Sequence, residues 1–171
     1  MPRPAMIHFL VLSTSLASLA AAARATAADA CDALYAAGVK SIQTPHHVFS
    51  TTTQSGAPPR AGEAIYAGGV EYLKLNDKWQ RSPMTQQEMV EAAQEKLKTH
   101  PDTCTLVGDQ NMAGQSVTVY KVRNNETGGE QLVRILKSSG LMAGSTLTLP
   151  NGTVVETRYE YRNVQAPAGV S

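Results

Sequence analysis

Two short groups of residues in this sequence contain the side chains that most often bind metal ions or transfer protons. His46 and His47 are adjacent, and His100 is followed by Pro101 and Asp102. Neighbouring residues of a strand point to opposite faces, so two adjacent histidines in a regular strand cannot chelate one ion. His100 and Asp102 have no third partner at the spacing of zinc sites, and His100 is better explained as a favourable charge at a helix C-terminus. We therefore expect no metal site, and we expect one surface histidine and one packed histidine.

Two further segments match catalytic or phosphate-binding motifs only in part. Residues 114–118 begin like a nucleophile elbow, but they lack its final glycine and precede a predicted strand instead of joining a strand to a helix. Gly128 and Gly129 are not followed by the Lys-Ser or Lys-Thr of a phosphate-binding loop. Because no group of residues forms a complete catalytic motif, the sequence predicts a non-enzymatic protein without a cofactor.

The sequence contains two cysteines, Cys31 and Cys104. In an exported protein these two would form a disulfide, which is the pairing that we expect. The closed loop is long, so the chain-entropy model gives about 4 kcal/mol of stabilisation. The alternative is that Cys31 is the lipid-modified cysteine of a bacterial lipoprotein. Asp29 and Arg24 fit that processing signal poorly, and lipidation would leave Cys104 as an unpaired thiol.

The first 27 residues are typical of a secretory signal peptide. Arg3 precedes an apolar run from Ile7 to Ala23, and the small residues Ala25-Thr26-Ala27 follow. The apolar run contains serines and a threonine and is short for a membrane span. We expect cleavage after Ala27 and a periplasmic mature protein.

The charge of the chain is almost balanced. The formal net charge is +1, and the loss of Arg3 and Arg24 with the leader would change it to −1. Without a basic stripe, nucleic acids are disfavoured as partners. We expect no membrane span after removal of the leader, a single domain over residues 28–164 and a disordered tail over residues 165–171.

The first half of the mature chain contains both predicted helices. The first helix is expected over Asp32–Ile42, and the second begins at a capping box formed by Thr85 and Glu88 and ends before Pro101. Short runs rich in β-branched and aromatic residues predict strands between the helices. These strands are expected over His47–Thr53, Ala64–Ala67, Val70–Leu75 and Lys78–Arg81, with a loop over Gln54–Gly62.

The stretch from Val117 to Val164 predicts four consecutive antiparallel strands. In the last of them, Thr153–Asn163, apolar and tyrosine side chains alternate with Glu156, Arg158 and Glu160, as expected for a strand with one solvated face. Pro150-Asn151-Gly152 predicts the hairpin before it. Ahead of this stretch we expect a short strand over Thr105–Gly108 and a polar connection over Asp109–Gly114.

These elements predict an α+β fold in which a curved, unclosed antiparallel sheet is covered by two helices on its concave face. Aromatic and methionine side chains are expected to line that face: Tyr66, Tyr72, Trp79, Met84, Met89, Met142, Tyr159 and Tyr161. One interpretation is that they form the core, since every sheet buries its apolar side. The other is that a half-open barrel leaves a groove for an apolar ligand, to which methionines adapt readily.

The order of features resembles the LolA-like superfamily of periplasmic lipoprotein carriers. The resemblance rests on Gly69-Val70-Glu71-Tyr72, Lys78-Trp79, Ser139-Gly140-Leu141-Met142, Asn151-Gly152 and the terminal run from Tyr159 to Val164. The chain is also similar to small uncharacterised periplasmic proteins that end like residues 163–167. The resemblance implies an unclosed barrel covered by helices, whose concave face accepts acyl chains. This chain is shorter than the full carriers and has Leu141-Met142 where they tend to have Leu-Pro.

We therefore expect a periplasmic, non-enzymatic binding protein for an apolar ligand, either a lipid acyl chain or a lipidated protein partner. The alternative is a protein-interaction module whose helices fill the sheet and leave no ligand site. An enzyme would require a cleft that gathers His46 or His47 with a carboxylate.

Overall fold

The computed structural model describes residues 27–99 and 102–170. The predictions for the leader up to residue 26, and for His100 and Pro101, lie outside these ranges. The helices are α1 (Ala27–Gln43) and α2 (Gln86–Thr99). The strands are β1 (His46–Thr53), β2 (Arg60–Ala67), β3 (Val70–Leu75), β4 (Lys78–Thr85), β5 (Thr103–Met112), β6 (Gln115–Arg123), β7 (Glu130–Leu136), β8 (Met142–Thr148) and β9 (Val154–Glu160).

All nine strands belong to one antiparallel sheet with the order β4-β3-β2-β1-β9-β8-β7-β6-β5. The two edge strands, β4 and β5, do not pair with each other, so the sheet is not closed into a barrel. The strand β9 joins the two halves because it pairs with β1 on one side and β8 on the other. The predicted α+β class with an unclosed antiparallel sheet is confirmed.

Tight turns fix the register of the hairpins. Between β3 and β4, Asn76 and Asp77 both have positive φ (50° and 61°). This is the two-residue turn whose twist matches that of paired strands, and asparagine and aspartate tolerate it well. The predicted hairpin at Pro150-Asn151-Gly152 is also present, although only Gly152 takes positive φ there (79°).

Several predicted element boundaries were wrong. The strand β2 begins at Arg60, inside the predicted loop over Gln54–Gly62, and β4 continues beyond the predicted Arg81 to Thr85. The first helix begins at Ala27 instead of Asp32, because an alanine-rich segment is a good helix former even without an apolar stripe. The predicted polar connection over Asp109–Gly114 is the second half of a ten-residue strand, β5. Its polar residues pair with β6 beyond a register shift between Leu106 and Gly108. Backbone pairing does not require apolar side chains, and edge strands are often polar.

The helix α1 packs on β5, β7 and β8, and α2 packs on α1 and β4. Buried residues under α1 form the main core: Ala30, Cys31, Ala37, Cys104, Val122, Val133 and Ile135. The predicted disulfide is present, with the Cα atoms of Cys31 and Cys104 5.2 Å apart, and it ties α1 to β5. Neither helix in the described ranges combines the length and the apolar content that a membrane span requires. Residues 165–170 form no helix or strand, and the disorder of the tail stays a prediction.

Candidate binding cavity

The register of β1, β2 and β3 decides which side chains face α1. His46 is opposite Tyr66, and Tyr66 is opposite Glu71, so these three side chains share one face of the sheet. Val48 is opposite both Ala64 and Tyr159, which places Tyr159 on the same face. We call this the helix face, because the core under α1 lies on it.

His46 is the centre of an aromatic cluster on the helix face. Its ring is 3% exposed and stacks on Tyr66, with the ring centroids 4.2 Å apart. The rings of Tyr159 and Tyr161 lie 5.6 and 5.7 Å from it. Its Nδ1 lies 2.7 Å from the carbonyl oxygen of Thr44, so Nδ1 carries a hydrogen and donates it there. Burial lowers the pKa of His46 below its ordinary value of 6.5, so at neutral pH the imidazole is uncharged.

Two hydrogen-bonded groups surround this cluster. The Tyr66 hydroxyl donates to Oε1 of Glu71, and burial together with this bond raises the pKa of Tyr66 above its usual range. The Tyr161 hydroxyl donates to the carbonyl oxygen of Met142 at 2.8 Å and lies 3.1 Å from Ser41 Oγ. Ser41 Oγ in turn accepts the N–H of Met142 at 3.0 Å. The helix α1 is therefore attached to β8, and to Tyr161 just beyond the end of β9, through Ser41.

A cavity of about 350 Å³ lies between α1 and the helix face. Its walls come from α1, from β1, β2 and β3, and from the ends of β8 and β9. The residues that line it are Gly38, Ser41, Ile42, His46, Val48, Ala64, Tyr66, Glu71, Met142 and Tyr159. We call this space the α1 cavity.

The structure brings together some of the eight residues that the sequence analysis selected and separates the others. Tyr66, Met142 and Tyr159 line the α1 cavity, and Tyr161 contacts His46 and Met142 beside it. Met89 lies partly buried on α2, outside the lining. Met84 is 41% exposed on β4.

Tyr72 and Trp79 lie on the opposite face of the sheet. The two-residue turn at Gly68-Gly69 pairs Tyr66 with Glu71, so the next residue, Tyr72, must point the other way. Trp79 is opposite Lys74, which also belongs to that face, and the Lys74 ammonium lies 5.9 Å from its ring centroid.

His47 also belongs to the opposite face, in a network of charges. Its Nε2 lies 3.3 Å from Glu63 Oε2, and Lys74 donates to Glu63 Oε1 at 3.0 Å. The hydrogen bond from Lys74 lowers the pKa of Glu63. The two histidines therefore point apart, as the alternation of side chains predicts.

Glu71 lines the α1 cavity, although it was not among the residues predicted to do so. The signal was the two glycines at Gly68-Gly69, since a two-residue turn fixes which residues of β2 and β3 are opposite each other. In the described ranges, no three His, Cys, Asp or Glu side chains lie close enough together to hold a metal ion.

The described part of the chain has several other cavities, two of which compete with the α1 cavity as apolar sites. One of about 400 Å³ separates α1 from α2 and is lined by residues such as Ala36, Val39 and Ala93. The other, of about 610 Å³, has apolar walls from Leu136, Leu141 and Ala143. Its remaining lining includes Tyr159 and Tyr161 together with the charged Arg158, Glu160 and Arg162.

No family model matches the sequence, and no curated protein matches it. Several solved structures are similar to this chain at low sequence identity. For MucB the TM-score is 0.47 with 16% identity, over 83% of this chain and 64% of MucB, so the chain spans less than two thirds of that protein. For the lipoprotein LppX of Mycobacterium tuberculosis the TM-score is 0.46 with 15% identity, over 80% of this chain and 99% of LppX.

A LolA superfamily protein from Nitrosomonas europaea is also similar, with a TM-score of 0.31 and 9% identity over 80% of this chain and 92% of that one. The unclosed antiparallel sheet with helices packed on it is the arrangement that the resemblance to the LolA-like superfamily implied.

Proposed function

We propose that this chain is an exported, non-enzymatic protein that binds an apolar ligand, such as one acyl chain, in the α1 cavity. The observation that carries the proposal is the space itself. The helix α1 leaves about 350 Å³ open between itself and the sheet face formed by β1, β2 and β3 and by the ends of β8 and β9. Its walls include Ile42, Val48, Ala64 and Met142, with the rings of Tyr66 and Tyr159.

The size of the cavity suits a small or single-chain ligand. Ligand pockets generally measure about 300–1,000 Å³, so this volume is at the lower end of that range. About ten buried methylenes, at about 0.8 kcal/mol each, would contribute about 8 kcal/mol. That corresponds to a dissociation constant of roughly 1 μM before the cost of ordering the ligand.

The α1 cavity suits an apolar ligand better than the two other spaces do. The cavity of about 610 Å³ includes Arg158 and Glu160 in its lining, whose side chains are 58% and 49% exposed and form an ion pair. The cleft between the helices is bordered by Asp32 and Lys40, both of which are exposed. Only the α1 cavity, of these three, has a helix as one wall and the sheet as the other.

Export is supported by two independent features. The N-terminal pattern is that of a secretory leader, and Cys31 and Cys104 are joined in a disulfide. Disulfides persist in oxidising compartments such as the bacterial periplasm. We therefore propose that the protein is periplasmic, where a carrier would move apolar groups between the two membranes.

A variant that fills the α1 cavity tests the proposal. Gly38 lies in α1 and lines the cavity, and a Cβ atom added there would have no neighbour within 4 Å. The first atom of a leucine side chain therefore has open space there, and the rest of the side chain should extend into the cavity. Gly38→Leu should also favour the helix. The assay is displacement of the neutral fluorescent probe N-phenyl-naphthylamine by dodecanol. We expect Gly38→Leu to weaken binding of both by about tenfold or more, a change of about 1.4 kcal/mol.

Ala36→Leu is the matched control, since it adds the same side chain to α1 in the exposed cleft toward α2. We expect it to bind probe and dodecanol like the wild type. If Ala36→Leu blocks binding and Gly38→Leu does not, the ligand occupies the cleft between the helices and the proposed site is wrong.

A second candidate is the interaction module without a ligand. The observation that favours it is the edge strand β5, on which Leu106 and Val107 are 47% and 53% exposed. An exposed edge can pair with an extended segment of a partner. A folded wild-type protein that binds neither probe nor dodecanol would favour this candidate.

A further inference from the structure

We propose that the α1 cavity selects ligands whose polar end donates a hydrogen bond and has no negative charge, such as a hydroxyl, an amide N–H or an ammonium group. The inference rests on the proposed function, since it concerns the polar end of the ligand that this cavity would hold. It follows from the position of Glu71 in the lining, from its role as a hydrogen-bond acceptor, and from the absence of basic side chains in the lining.

Glu71 is the one lining residue with a formal charge at neutral pH. The lining contains no lysine or arginine, and the buried His46 is uncharged there. The polar groups that remain are the hydroxyls of Ser41, Tyr66 and Tyr159. A carboxylate in a partly buried space repels a second anion strongly, because the effective dielectric is lower than in water.

Three basic side chains of the elements around the α1 cavity have partners outside it. Lys40 of α1 donates to the carbonyl oxygen of Ser139. Lys74 pairs with Glu63 on the opposite face, and Arg158 lies over the ring of Phe49 on that face. An anionic ligand in the α1 cavity would therefore meet Glu71 without a cation to neutralise either charge.

The carboxylate of Glu71 can accept further hydrogen bonds. The Tyr66 hydroxyl donates to Oε1, and an ionised carboxylate accepts several hydrogen bonds through its two oxygens. A donor on the ligand would add a hydrogen bond to this carboxylate, whereas a carboxylate, sulfate or phosphate group would bring only more acceptors.

Three probes with the same apolar chain and different polar ends test this selection. Dodecanol, dodecylammonium and dodecanoate are compared at neutral pH by displacement of N-phenyl-naphthylamine. Dodecanol is kept below its solubility limit, and the two ions are kept below their critical micelle concentrations. In the wild type we expect dodecanoate to bind about tenfold more weakly than dodecanol, with dodecylammonium at least equal to dodecanol.

The Glu71→Gln variant removes the charge and keeps an amide oxygen that accepts from Tyr66. We expect it to bring the affinities for dodecanoate and dodecanol to within about threefold and to weaken dodecylammonium. Glu156→Gln is the matched control, since Glu156 is an exposed carboxylate of β9 on the opposite face. If Glu71→Gln folds poorly, Tyr66→Phe is the second variant. It removes the hydrogen bond from Tyr66 to Glu71, so we expect it to increase the ratio of dodecylammonium affinity to dodecanol affinity.

The outcomes separate this inference from the proposed function. Two results overturn the proposed selection against anionic ligands but leave an apolar binding site in place. One is equal binding of all three probes by the wild type, and the other is an unchanged ratio of dodecanol to dodecanoate affinity in Glu71→Gln. If none of the three probes binds, the proposed function itself is overturned, and the selection with it.

Discussion

His46 couples the aromatic cluster beside the α1 cavity to the stability of the protein. Burial keeps its pKa in the folded state below the value of 6.5 that it has when exposed. At a pH between the pKa of His46 in the folded state and its pKa in the unfolded state, the unfolded chain binds more protons than the folded one. Acid therefore favours unfolding. The contribution of a neutral His46 is complete above about pH 6.5 and is lost progressively as the pH falls below that value.

We expect urea unfolding to show a free energy that decreases between about pH 7 and about pH 5, and His46→Phe to remove most of this decrease. Phenylalanine can still stack on Tyr66, although the loss of the bond to Thr44 lowers stability at every pH. Glu63, whose pKa is lowered, loses its contribution only below about pH 4.5 and does not interfere. If the free energy of unfolding decreased equally with falling pH in His46→Phe and in the wild type, a group other than His46 would be responsible.

The pairing of β8 with β9 depends on a glycine at Gly144. A Cβ atom there would lie 2.6 Å from the carbonyl oxygen of Thr157, a distance that real Cβ atoms do not tolerate. Gly144→Ala should therefore push the two strands apart and cost about 1–3 kcal/mol in unfolding by urea. Gly38→Ala is the control, since its Cβ has open space in α1 and should stabilise the helix by up to about 1 kcal/mol. Equal stability of the two variants would contradict this account of the β8–β9 contact.

Strands with one apolar and one charged face could be predicted from the sequence, as β9 shows. The alternation of Tyr159 with Arg158 and Glu160 directly reflects one face under α1 and one in water. The second half of β5 could not be predicted this way. Its residues Asp109 and Gln110 are held by backbone pairing with β6, which leaves no side-chain pattern.

The candidate site could be predicted only in part for a similar reason. Tyrosines 66, 159 and 161 were selected because they are aromatic, and this selection included Tyr72 and Trp79 on the other face. The pairing register of two strands decides on which face of the sheet each side chain lies. The register between β2 and β3 follows from the length of the turn at Gly68-Gly69. Glu71 was not predicted, because the residue types of β3 do not show which of its polar side chains lies on the covered face.

The disulfide holds the helix that forms one wall of the α1 cavity. Cys31 and Cys104 are 73 residues apart in sequence, and the Cys104 side chain is 1% exposed. The double variant Cys31→Ala, Cys104→Ala should lose about 3–4 kcal/mol of stability in urea, mainly through the freedom gained by the unfolded chain. We also expect weaker binding of N-phenyl-naphthylamine, because α1 would be less firmly placed. Unchanged stability would show that packing on β5, β7 and β8 is enough to hold α1.

The central claim is that the space between α1 and the sheet holds an apolar ligand. The most direct measurement is native mass spectrometry of the protein isolated under non-denaturing conditions from cells that export it, with lipid analysis of the denatured sample. We predict a stoichiometric adduct of a single-chain lipid on the wild type and on Ala36→Leu, and its absence on Gly38→Leu. A bare wild-type mass, or an adduct that persists in Gly38→Leu, would contradict the claim.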